Sequence, residues 1–326
     1  MRNLRLSPNY LKTLRRAAKV PEVNRFVCSS LGTTLAEIEL SSSCVRDVLQ
    51  LTQHFGDPKC SLASLGDEAE HLLLRWSRQL DRVYRFGYEF RRKAFFDAFV
   101  FPEIRALGPS HVLDVGCGRG WVSYWLVREG ICSAATGIDA REFGPDWEDV
   151  KSLCPDVSFC SVDVDQISAW LEQAPKPDVV LLSWVLHHSP PSDVVATLKA
   201  LRTGIPGVRI VVIEDTGFPN QACAEDPHGF GEGWSAWLRS CDEYRLSCGW
   251  SVQALLDFVA VQILARYSDV SMPCNYQRSS DWVSLFDHVG FHVTSMKYIG
   301  FPEGRDIAVP QGLFILEPKH EFNQSE

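Results

Sequence analysis

The sequence predicts an α/β fold. The expected architecture is a doubly wound, seven-stranded, mainly parallel sheet with an antiparallel last strand, a helical N-terminal cap and an insertion after strand five. Three observations predict it. From His111 onward, short apolar runs alternate with helix-period segments. The first of these runs passes through closely spaced glycines directly into a helix. The last two runs are joined by a connection too short for a helical crossover.

Each element has its own warrant. The runs at 111–115, 134–138, 157–160, 178–183 and 208–213 are predominantly apolar on both faces, as strands covered by helices on both sides must be. Helices predicted at 121–129, closed by Gly130, and at 192–202 supply crossovers, which are right-handed. A helix over 281–289, ended by Gly290, leads to a strand at 292–298, and a last strand at 312–317 follows. Gly300-Phe-Pro-Glu-Gly304 and a few further residues join those two strands, so the last one runs antiparallel.

The first hundred residues read as helical. Apolar residues recur at helical spacing in 35–40 and 68–77, and Gly56-Asp-Pro58 breaks the chain between helices. Residues 81–101 are dense in aromatics, including Tyr84, Tyr88, Phe95 and Phe96. The expected division is a helical cap over 1–105 and a core domain over 106–326, with an insertion over 216–276.

Composition excludes several classes. Apolar residues make up 45 % and charged ones 22 % of 326 residues, an ordinary globular balance with enough chain for a full core. The net charge of -9 argues against nucleic acid as the main partner, since phosphate binders carry basic faces. The 11 cysteines form no CxxC pair and no HExxH occurs, so no metal site is expected. They read as reduced thiols of a cytoplasmic protein. No apolar run reaches the length of a membrane span. The basic start (Arg2, Arg5, Lys12, Arg15, Arg16, Lys19) is either a solvated helix face with Leu4, Leu11, Leu14 and Val20 behind it, or a targeting or docking segment.

The chemistry-bearing motif is Val112-Leu-Asp-Val-Gly-Cys-Gly-Arg-Gly120. Glycines at the carboxyl end of the first strand let a ligand approach the backbone where open α/β sheets bind. Asp114 stands two residues before the first glycine, and Asp139 ends the second strand at the spacing where an acid meets ribose hydroxyls. The nicotinamide fingerprint GxGxxG is absent, because the third glycine comes one position early and Trp121 stands in its place.

These residues resemble the class I S-adenosylmethionine (SAM)-dependent methyltransferases of the small-molecule type. Residues 112–120 are similar to their first motif, Thr136-Gly-Ile-Asp139 to their second-strand acid, Val162-Asp-Val164 to their adenine position, and Leu182-Ser-Trp-Val-Leu-His-His188 to the segment after strand four. The resemblance covers about residues 108–317 and implies SAM as cofactor. It implies that Asp114, Gly116, Cys117, Gly118 and Gly120 hold the methionine part, Asp139 and Ala140 the ribose, and Asp163 and Val164 the adenine. Ser183 would lie near the methyl group.

On the reacting side, His187 and His188 are candidate bases for an oxygen acceptor, or one of them packs the loop. His228, in the glycine-rich stretch 226–234, is a third candidate. Glu214 and Asp215 end strand five, where they bind an acceptor, orient a histidine or are simply solvated. Tyr84, Tyr88 and Trp234 are expected to line an apolar or aromatic acceptor pocket, or to be core. The resulting expectation is O-methylation of a small molecule. The alternatives are N- or C-methylation, an RNA or protein acceptor docked on the basic N-terminal helix, and a non-catalytic binding domain.

Overall fold

The computed structural model describes residues 8–19, 40–83, 89–217, 249–264, 275–299 and 311–319, with scattered positions between 24 and 35 and at 272 and 273. The chain divides into two compact units. The helical unit comprises Met1–Ala94, Gly217–Tyr276 and Gly300–Pro310; the sheet unit comprises Phe95–Thr216, Gln277–Ile299 and Gln311–Glu326. The helices are α1 (Pro8–Ala18), α2 (Ser42–Gly56), α3 (Leu62–Val83), α4 (Glu89–Phe95), α5 (Phe101–Leu107), α6 (Trp121–Arg128), α7 (Gly144–Leu153), α8 (Ile167–Gln173), α9 (Pro191–Gly204), α10 (Gly249–Asp257) and α11 (Ser279–His288). The strands are β1 (His111–Val115), β2 (Ala134–Asp139), β3 (Val157–Ser161), β4 (Val179–Ser183), β5 (Arg209–Gly217), β6 (Gln277–Arg278), β7 (Phe291–Tyr298) and β8 (Gln311–Pro318).

In the helical unit, α2 starts at Ser41, whose hydroxyl accepts from the Cys44 amide. It buries Cys44, Val48, Leu51, Thr52 and Phe55, a stripe at helical spacing. Phe55 meets Phe258, just beyond α10, edge to face at 5.2 Å, and Tyr10 of α1 donates to the Ala254 carbonyl. The N-terminal helices and the segment after β5 thus share one core. Leu11 and Leu14 are buried while Lys12, Arg16 and Lys19 are exposed. Arg15 donates to the Cys60 carbonyl. Leu4 and Val20 lie outside the described residues.

In the sheet unit, the strand order is β3-β2-β1-β4-β5-β8-β7, with the two-residue β6 paired to β5 off this path. β8 is antiparallel to both β5 and β7. The seven-stranded mixed sheet expected from the sequence is therefore present. Alternate residues feed two cores: Leu113, Val180 and Leu182 face one side with Trp282 and Phe286, and Val112, Val179 and Leu181 face the other with Phe96, Val122 and Leu126. The order reverses at β1 and β4, and this opens a crevice at their carboxyl ends.

Two expectations are corrected. The sheet unit begins at Phe95 rather than 106, because Phe95, Phe96, Val100, Phe101 and Ile104 belong to the core beneath β1, β4 and β5. The segment after β5 is grouped with the N-terminal helices, not with the sheet. β5 also runs further than expected. Pairing with β8 places Glu214 opposite Gly312 and Asp215 opposite Gln311, inside the sheet. No described helix is long and apolar enough to cross a membrane. The described cysteines, Cys28, Cys44, Cys60, Cys117, Cys132, Cys154 and Cys160, are free thiols.

Candidate active site

The loop between β1 and α6 carries Gly116, Gly118 and Gly120, with φ of 73°, 54° and 85°. All three lie in the left-handed region that a side chain disfavours. The amides of Gly116 and Cys117 donate to the Ile138 carbonyl at 2.7 and 3.1 Å, which pins the loop to β2. A Cβ on Gly116 would lie 2.4 Å from Val185 Cγ2, and one on Gly120 would lie 2.4 Å from Phe159 Cζ. Phe159 stacks on Trp147 at 5.3 Å, and the Trp147 indole donates to the Gly118 carbonyl at 2.8 Å. A closed ring of contacts therefore braces the loop from the α7 side. Sequence reading missed Trp147 and Phe159, because neither lies near the motif in the chain.

Asp114 is fully buried and its Oδ2 accepts from Ser123 of α6 at 2.7 Å, tying strand to helix under the loop. Cys117 is buried in the loop; burial first, then Asp114 and Asp139, push its thiol well above the usual value. Asp139 accepts from the Gly118 amide through Oδ2 and from the Arg141 amide through Oδ1, both at 3.0 Å. Its neighbour Ala140 is exposed, and the Ala140 carbonyl accepts from Ser161 at 3.3 Å. Asp163 is exposed after β3, where it caps the short turn that contains Val164. Ser183 is buried and ends β4.

The donor set fits SAM. Carboxylates at the ends of β2 and β3 suit ribose hydroxyls and an adenine amino group, and the left-handed glycines admit a ligand close to the backbone.

Beyond β4 the chain makes an unusual turn. Trp184 has φ of 54°, the one described non-glycine residue with positive φ. Its ring packs against Phe95 and Phe96 at 5.3 and 5.7 Å, and its indole donates to Gln311 Oε1. Past this turn the amides of Val185 and Leu186 both donate to Glu214 Oε1, at 2.8 and 2.6 Å. His187 Nδ1–H donates to Glu214 Oε2 at 2.5 Å. Glu214 is wholly inaccessible to solvent, and three donors converge on its carboxylate. Asp215 Oδ1 accepts from Gln311 Nε2 at 2.7 Å, and its Oδ2 lies 3.9 Å from His187 Nε2. His188 sits against His187 with ring centroids 4.0 Å apart. Burial, then His187 and Arg141, hold His188 well below the usual histidine value, so it is neutral near pH 7.

The structure therefore brings His187, His188, Glu214 and Asp215 together and adds Trp184 and Gln311, which the sequence did not flag. Tyr84, Tyr88, His228 and Trp234 lie outside the described residues.

Residues 88–296 match the family described as methyltransferase domain. A tRNA U34 carboxymethyltransferase of Shewanella pealeana (strain ATCC 700345 / ANG-SQ1) is 26 % identical over 264 residues, 76 % of this chain and 69 % of that protein. Among solved structures, 1,6-didemethyltoxoflavin-N1-methyltransferase of Burkholderia thailandensis, with 1,6-didemethyltoxoflavin and S-adenosylhomocysteine bound, is 15 % identical with a TM-score of 0.42, covering 76 % of this chain and 90 % of that one. N,N-8-amino-8-demethyl-D-riboflavin dimethyltransferase of Streptomyces davawensis is 13 % identical with a TM-score of 0.45, covering 90 % and 69 %. The family match spans more than half of the chain and coincides with the braced glycine loop and the strand-end acids. The chain belongs to the methyltransferase domain family and is a SAM-dependent methyltransferase.

Proposed function

We propose that the protein methylates an oxygen of a small-molecule acceptor, with His187 as the general base. The observation that carries this reading is the 2.5 Å bond from His187 Nδ1–H to the buried Glu214 carboxylate. That bond assigns the Nδ1 proton and makes Nε2 the nitrogen that takes the acceptor's proton. SAM, when bound, supplies an electrophilic methyl group. The Gly116–Gly118–Gly120 loop with Asp114 and Cys117 would hold its methionine part, Asp139 and Ala140 the ribose, and Asp163 and Val164 the adenine. Ser183 and the Trp184 turn place His187 at the carboxyl edge of β4. Glu214 then acts by orienting His187 rather than by touching the acceptor, since its oxygens already serve three donors of the chain.

A second reading takes an RNA acceptor. It is favoured by the tRNA-directed relative and by the exposed Lys12, Arg16 and Lys19 of α1. Incubation with SAM carrying a labelled methyl group, offered bulk tRNA and a small-molecule extract in parallel, separates the two. Label is expected in the small-molecule fraction. His187→Ala should lower its rate by about 10²- to 10⁴-fold, the worth of a positioned base, with SAM affinity nearly unchanged. Label in tRNA alone would establish the second reading, and an undiminished rate in His187→Ala would remove His187 as the base.

A further inference from the structure

We infer that the sheet unit carries a second ligand site, an open cavity of 590 Å³ between α8 and the face of β2 and β3, and that it takes an uncharged nucleobase or nucleoside. Thr136, Ser158 and Cys160 form its floor, and Gln166, Trp170 and Gln173 form a wall. None of the loop glycines, Asp139, Asp163 and Val164, the residues read for SAM, is in its lining. The cavity lies along the sheet face, reaching mid-strand positions three residues before Asp139, whereas the SAM residues stand at the strand ends. The inference is independent of the reading of His187.

The chain builds this cavity in two steps. Along α8, Ile167 and Leu171 are buried in the core with Val180 and Leu182 of β4. Gln166, Trp170 and Gln173 recur at i, i+4 and i+7, so they share the adjoining stripe, with the two amides about 10 Å apart along the axis and the indole between them. On the sheet, Thr136 and Ser158 are register partners and therefore point to one face. Thr136 Oγ1 lies 3.0 Å from Ser158 Oγ and 2.9 Å from His111 Nε2, a polar row on a face that Leu113 and Ile138 otherwise make apolar. β3 is the end strand, and Ser158 on it is exposed, so the cavity opens at the sheet edge.

The chemistry of the lining selects the ligand. Every lining side chain is neutral, so nothing there compensates a phosphate or a carboxylate. The volume falls in the range of small-molecule sites, about 300–1,000 Å³. An indole stacks on the flat face of any base. A glutamine amide presents a donor and an acceptor side by side, which matches the adjacent acceptor and donor on an adenine edge. Gln166 accepts from the Asp163 amide through Oε1 at 3.4 Å, which leaves its NH₂ group as a donor, and Gln173 is exposed at the other end of the stripe. Face and edge recognition thus come from one helical stripe, above a floor of hydroxyl groups.

The test titrates adenosine by calorimetry into the full chain saturated with S-adenosylhomocysteine, so that the cofactor loop is closed to the probe. Binding is expected with Kd below about 1 mM. AMP carries the same base with a phosphate and should bind about tenfold or more weakly, since the lining offers it no cation. Trp170→Leu should weaken adenosine binding by about tenfold or more, the worth of a stacked base. Gln173→Ala, at an exposed position where loss of the fold is not at issue, should weaken it by about 2- to 10-fold. Wild-type affinity for S-adenosylhomocysteine in both variants verifies that the sheet unit is intact. No adenosine binding to the saturated chain, or binding only when S-adenosylhomocysteine is left out, overturns the inference. So does an affinity unchanged in the folded variants. AMP binding as tight as adenosine binding would overturn the assignment of an uncharged ligand.

Discussion

Substitution of Gly120 by alanine tests the bracing of the cofactor loop, and Gly130→Ala supplies the internal control. Both glycines have positive φ, 85° and 63°, so each alanine meets the same backbone penalty of about 1–2 kcal/mol. They differ in what the new methyl group meets. At Gly130 nothing lies within 4 Å. At Gly120 the Cβ would fall 2.4, 2.5 and 3.3 Å from Cζ, Cε1 and Cε2 of Phe159. That ring cannot swing aside cheaply, being stacked on Trp147 with an interplanar angle of 10°. Overpacking against a held ring adds about 1–3 kcal/mol. Gly120→Ala should therefore lose about 2–5 kcal/mol in chemical denaturation and Gly130→Ala only the backbone part. Because Trp147 also holds the Gly118 carbonyl, displacement of Phe159 carries to the loop. S-adenosylhomocysteine binding by calorimetry should weaken about tenfold or more in Gly120→Ala, some 1.4 kcal/mol, and stay near wild type in Gly130→Ala. Equal stability losses in the two variants would refute the Phe159 argument, and unchanged binding in Gly120→Ala would refute its link to the loop.

Asp139→Ala removes the acceptor for the Gly118 and Arg141 amides and, on the proposed reading, the partner of the ribose hydroxyls, and should weaken SAM binding by about 1–3 kcal/mol on a hydrogen-bond scale; calorimetry showing wild-type affinity would take Asp139 out of the site. His188 makes stability depend on pH. Its folded value is depressed while the unfolded chain protonates near the ordinary histidine value, so stability is fully present above about pH 6.5 and is lost below it, by up to about 1.4 kcal/mol per pH unit. Denaturation midpoints measured from pH 7.5 to 5 should fall, and His188→Gln should flatten that fall; an equally steep fall in the variant means that other groups set it.

The sequence by itself determined the fold class and the glycine-rich turn after β1. Both are written in local pattern: apolar runs of strand length, glycines at the strand end, and a closing connection too short for a crossover. Strand ends were read less well where pairing, not composition, extends them. β5 continues through Glu214 and Asp215 because β8 lies alongside, and no periodicity in Glu-Asp-Thr-Gly announces a strand. The start of the sheet unit at Phe95 was hidden for a similar reason, since an aromatic run reads alike whether it lines a pocket or fills a core.

Only the tertiary structure decided how His187, Glu214, Asp215 and Gln311 are arranged. His187 and Glu214 stand 27 residues apart and Gln311 lies 96 residues beyond Asp215, so no spacing rule links them. They meet because parallel pairing of β4 with β5 and antiparallel pairing of β5 with β8 bring three strand ends to one edge. Phe159 and Trp147 likewise reach the glycine loop only through the packing of β3 and α7. Local sequence specifies the backbone's course because sterics and periodicity act over a few residues. The identity of a proton acceptor depends on which charges the folded sheet places within a few ångströms, and that is set by register across the chain.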